Sequence, residues 1–113
     1  MADRLDKVLS NYFKGFIDNE INDRLRQIKY NNIVNGQSEN EGVACDPELI
    51  RLQNTRDMIS QWVSAMFSED MQQAIEAHYK GMRYVDIQYE FFLSKTTVIK
   101  AIKELKNVLG VKL

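Results

Sequence analysis

Apolar residues recur at helical spacing over the first thirty positions. Leu5, Val8, Leu9, Tyr12, Phe13, Phe16 and Ile17 advance by alternating steps of three and one, and Ile21, Leu25 and Ile28 continue the series by steps of four, four and three. That periodicity predicts amphipathic helix over 4–30. Gly15 and the polar run Asp18-Asn19-Glu20 interrupt the stripe, but no proline forces a break, so one long helix or two shorter ones both fit. Residues 31–46 are rich in Asn, Gly, Ser and Glu. Such a composition buries no core and reads as a loop or flexible linker. Asp46 then caps a helix, with Pro47 in its first turn and Glu48 complementing the helix dipole. Ile50, Leu52, Ile59, Trp62, Val63, Met66 and Phe67 supply its apolar surface. Ser68 caps a further helix over 69–80, which turns Met71, Ala74, Ile75, His78 and Tyr79 inward. Gly81 fits the left-handed residue that ends it.

The pattern sharpens towards the C-terminus. Arg83 to Glu90 form a short helix of about two turns, from which Val85, Ile87 and Phe91 can point inward. A turn of about three residues ends at Leu93, and Ser94 caps a longer helix. The inward stripe of that helix is Val98, Ala101 or Ile102, Leu105 and Leu109. Its outward residues are Lys95, Thr96, Thr97, Ile99, Lys100, Lys103 and Lys106, with no acid before Glu104. The chain therefore predicts an all-α protein: a small helical bundle ending in a C-terminal helix-turn-helix at 83–109. Residues 1–30 read as an N-terminal helical arm, 31–46 as the linker, and 47–113 as the helical domain that carries this motif. The arm can pack on the same core, and it can also pair with a second copy.

Composition narrows the function. Of 113 residues, 44% are hydrophobic and 27% charged, the balance of an ordinary globular domain, so a disordered tail protein or a collagen-like repeat is excluded. No run approaches the ~20 apolar residues of a membrane span, and the charged N-terminus leads into no apolar secretory core. A single cysteine, Cys45, precludes an internal disulfide and suits a reducing cytoplasm. His78 is the one histidine, without a second His or Cys near it to share a metal. No nucleophile–histidine–acid set and no glycine-rich phosphate loop is visible. Neither enzymatic activity nor a cofactor or metal is expected. Net charge is −1, but its distribution is uneven. Residues 1–77 carry eight Lys/Arg against thirteen Asp/Glu, whereas 78–113 carry seven against three. A basic C-terminal third is the electrostatic footprint expected for a polyanion.

Double-stranded DNA suits this pattern. Its major groove, about 12 Å wide, admits one helix between two walls of phosphate. Ser94, Lys95, Thr96 and Thr97 stand at the helix N-terminus, where side chains first reach base edges and the dipole favours a phosphate. Lys100, Lys103 and Lys106 recur at three-residue steps, a stripe suited to backbone contacts, and Arg83 and Tyr84 open the supporting helix where they can clamp a flanking phosphate.

From Ile75 to Leu109, the segments Tyr79-Lys80-Gly81-Met82-Arg83-Tyr84-Val85-Asp86-Ile87 and Leu93-Ser94-Lys95-Thr96-Thr97-Val98 resemble the fourth-region helix-turn-helix of bacterial sigma factors. The module is also similar to that of small phage regulators of Gram-positive bacteria, the ArpU, RinA and LtrC kinds of late-gene activator. The resemblance spans about 40 residues. It implies promoter binding through the helix that begins at Ser94, with RNA polymerase as a further partner. It also places Ser94 to Thr97 and Lys100 at bases and nearby phosphates, and Arg83 and Tyr84 at the backbone. DNA readers of this kind commonly dimerise, so a homodimer is expected. Two residues depart from the pattern. Gln88 stands where such motifs place Ala, and Phe92 where Gly is common. Gln88 has to tuck aside or push the helices apart, and Phe92 implies a turn without a strict positive φ. Two alternatives stay open: the DNA-recognition subunit of a packaging machine (a small terminase), and a protein-interaction module with a degenerate motif.

Overall fold

The computed structural model describes residues 3–112. Among them are six α-helices and one turn of 3₁₀ helix, with no strand. Helix α1 spans Arg4–Phe13, α2 Phe16–Val34, α3 Pro47–Met66, α4 Glu69–Tyr79, α5 Tyr84–Phe91 and α6 Lys95–Lys112. Met1, Ala2 and Leu113, the ends of the predicted arm and domain, lie outside the described residues.

Three helix starts carry side-chain caps, the expected ones at Asp46 and Ser68 and a further one at Asp3. The Asp3 carboxylate accepts from Asp6 N, that of Asp46 from Leu49 N, and the Ser68 hydroxyl from Met71 N. These bonds satisfy amide donors that a helix start leaves free. Gly15, at φ 79°, divides the N-terminal stripe, so α1 and α2 are two helices. That left-handed conformation is open to glycine at no steric cost.

The core is drawn from all six helices. Leu9 of α1, Leu49 and Ile59 of α3, Ile75 of α4, Ile87 of α5, and Val98, Leu105 and Leu109 of α6 are completely buried, and Ile17 and Ile21 of α2 join them. The first element is no free arm. Helix α1 lies against α4 and α6, its Leu9 fully covered. Its Asp6 accepts from the Tyr79 hydroxyl at 2.9 Å and from Lys106 Nζ at 3.0 Å. The N-terminal stripe thus packs on the common core.

The segment 31–46 also departs from expectation. Helix α2 runs on to Val34, and the remainder folds around Asn32. The side-chain amide of this buried residue donates to the carbonyls of Glu39 and Glu41, both at 2.9 Å. Asp46 closes the loop twice, capping α3 and pairing with Arg24 through Nη2 at 2.6 Å and Nε at 2.9 Å. Helices α2 and α3 thus form a tied hairpin, and the molecule measures 56 × 27 × 27 Å.

Candidate nucleic-acid interface

The short helix, tight turn and long helix form where the sequence places them. Helix α5 packs on α4 and α6 through Ile87. The turn Phe92-Leu93-Ser94 follows, and α6 starts at Lys95. The Ser94 hydroxyl accepts from Thr97 N at 3.2 Å and shares a 2.8 Å hydrogen bond with the Thr97 hydroxyl. Both hydroxyls therefore hold the helix start together.

At 100° per residue, the buried Val98, Ile102, Leu105 and Leu109 share one side of α6. Thr96, Lys100, Lys103 and Asn107 lie on the opposite side, all exposed. Ile99 is half-buried and does not belong to the outward set. Lys106 leaves it as well. Its ammonium bonds Asp3 and Asp6 of α1, each at 3.0 Å, and only 22% of its side chain is exposed. Burial disfavours its charge, but the two carboxylates outweigh this and raise its pKa. The cation stripe expected at Lys100, Lys103 and Lys106 is thus two lysines long.

The remaining candidates differ in how free they are. Lys95 is exposed, with its ammonium 5.4 Å from the centre of the Tyr84 ring. The Tyr84 ring stacks on His78 at 5.0 Å, which makes Tyr84 in part a packing residue. Arg83 is exposed but bonds the Asp86 carboxylate through Nε at 3.0 Å. That i,i+3 pair offsets part of its charge. An open depression of about 260 Å³ separates this cluster from α1, lined by Asp6, His78, Tyr84, Ile99, Ile102, Lys103 and Lys106. Burial pushes the His78 pKa down and outweighs the Asp6 carboxylate, which acts in the opposite sense. No group of three or more His, Cys, Asp or Glu among the described residues is placed to hold a metal.

Sequence reasoning missed the Asp6–Tyr79–Lys106 network. One signal was present: Asp6 shares a helical face with Leu9 and Phe13, so an acid interrupts the inward stripe of α1. Its partners lie 73 and 100 residues away, beyond any local pattern.

Two expectations about the motif need correction, and a third is decided between its alternatives. Val85, expected inward, is 64% exposed. It lies about 160° around α5 from Ile87, so both cannot face the core. Phe92 does take the left-handed conformation, at φ 57°, in the place where glycine is common. Gln88 is exposed and tucks to the side, leaving Ile87 to meet α6.

Fold and surface together define a class: a small all-α protein that presents a cationic, apolar-backed C-terminal helix on a compact bundle. Residues 1–110 match the family model described as "Protein of unknown function (DUF722)", and the chain belongs to that family. No curated protein and no solved structure matches it. No described helix is long and apolar enough to cross a membrane.

Proposed function

We propose that the protein is a sequence-specific DNA-binding transcription regulator of the phage late-gene kind, with α5, the turn and α6 acting as its helix-turn-helix. One observation carries the reading. The exposed side of α6 bears Lys100 and Lys103 with Thr96 between them and the helix start, while its opposite side is sealed in the core. A rigid helix with one cationic, hydrogen-bonding side is what a major groove accepts. Lys95 and Arg83 extend the charge across the start of both helices, and the basic bias of residues 78–113 supplies the longer-range attraction. Thr96 is the favoured base-reading hydroxyl, because those of Ser94 and Thr97 are committed to each other. The regulator acts as a homodimer, which doubles its DNA contacts, and recruits RNA polymerase.

The test is fluorescence anisotropy with labelled duplexes across a salt series. Lys100→Ala and Lys103→Ala should each weaken binding to every duplex and reduce the log–log salt slope by ~0.9. Thr96→Ala should instead change the preference among sequences. Undiminished affinity in a Lys95→Ala/Lys100→Ala double variant would remove the reading.

A further inference from the structure

We propose that the outer side of α5 is the contact between two copies of this chain. The proposal deepens the homodimer part of the reading above and does not depend on its DNA part. Val85, Tyr89 and Phe92 are 64%, 87% and 89% exposed, and Gln88 joins them in lining an open depression of about 530 Å³. At 100° per residue Val85, Gln88 and Tyr89 fall within one sector of α5, and Phe92 caps its end beside them. Phe92 is the clearest sign of a contact. It is a bulky aromatic held at φ 57° with its ring in solvent, although glycine meets the same backbone demand without strain. Strain kept at an exposed residue points to a role that the isolated fold does not use.

The chemistry of the patch selects the occupant. The four residues carry no cation, so phosphate-rich DNA is a poor cover for them. Aromatic side chains without charge are instead the composition of the centre of a protein interface. The edges carry opposite signs. On the helical wheel, Tyr84 bounds one edge, with the Lys95 ammonium near its ring, and the other edge carries Glu90 beside Asp86, whose carboxylate is already bonded to Arg83, so Glu90 supplies its net negative charge. A two-fold axis running parallel to α5 brings the acidic edge of each copy to the cationic edge of the other, twice. A second copy thus satisfies the pattern without any further protein. The arrangement is isologous, so it closes at two.

Area sets the strength. Two nearly free aromatic rings and a valine offer about 400 Å² of apolar surface. A standard interface takes about 800 Å² per partner. The charged edges supply the remainder, and a weak, salt-sensitive dimer is expected.

Sedimentation equilibrium of the full chain, without DNA, tests this from micromolar to millimolar concentration. The wild type should move from monomer towards twice the monomer mass. Phe92→Gly and Tyr89→Glu should each lower the association constant by roughly tenfold or more, with helical circular dichroism retained. Phe92→Gly should also melt at higher temperature, because it removes the backbone strain. Glu90→Lys should weaken the dimer, and adding Lys95→Glu should restore it in part. A wild type that remains monomeric throughout overturns the proposal and assigns the patch to a different protein. A dimer unaffected by Phe92→Gly and Tyr89→Glu, or a many-membered ring, also overturns it. A dimer that behaves as expected while the DNA titrations fail removes the regulator reading and leaves this contact standing.

Discussion

Lys103 and Lys106 stand three residues apart on α6 and do different work. Lys103 is exposed on the outer side, whereas Lys106 is held between two carboxylates of α1. Replacing each by methionine should separate the two roles. On the proposed DNA-binding reading, Lys103→Met should weaken DNA binding at unchanged stability. Lys106→Met should instead destabilise the fold by about 1 kcal/mol, because the pair is only partly exposed, and leave the salt slope of binding as it was. Urea denaturation beside the anisotropy series checks both outcomes, and an altered slope in Lys106→Met would count against the assignment. Phe92 is a second residue whose position alone is informative. A left-handed conformation costs a non-glycine residue about 1–2 kcal/mol, a sizeable fraction of the 5–15 kcal/mol that stabilises a typical domain.

At the scale of elements, the α2–α3 connection behaves unlike its composition. Asn, Gly, Ser and Glu bury little, yet one asparagine organises the loop by donating to two carbonyls. Asn32→Ala removes both bonds and should cost about 1–3 kcal/mol. Amide hydrogen exchange should rise first within the loop, including Gln37, whose N–H donates to the Asn32 carbonyl at 2.7 Å. A mutant with unchanged exchange would mean that the loop is held elsewhere, by Arg24–Asp46 or by the Lys29–Glu39 pair. The α5–turn–α6 element was far more legible. Ser94, the inward Val98 and Leu105, and the brevity of the turn are all local signals, and local signals specify helix ends and faces. Val85 was misplaced because the two-turn helix has several apolar residues and only one narrow inward side.

At the scale of the whole molecule, stability should depend on pH in two steps. His78 is held below its ordinary pKa of 6.5 by burial. On acidification the unfolded chain therefore takes up a proton at this residue before the folded protein does. Stability present above 6.5 is lost as pH falls below it. The urea midpoint should decline between pH 7 and pH 5, and His78→Gln should flatten that decline. The second step belongs to Asp46. The Arg24 guanidinium and the Leu49 N–H hold its carboxyl down at about 2, against an ordinary 3.8. Its contribution is complete above 3.8 and disappears as pH falls through about 2. An acid limb unchanged in Asp46→Asn would contradict this.

Helix positions, caps and the two-sided character of α6 follow from the order of residues alone, because each depends on neighbours within a turn or two. The same holds for the basic bias of the last third, which is a matter of counting. Tertiary structure decided which lysine is spent on α1, that both halves of the N-terminal stripe join the core, and which apolar residues of α5 stay in water. Those outcomes depend on which surfaces meet across up to 100 residues of chain. A charge or an apolar side chain carries no local mark of the partner that will cover it.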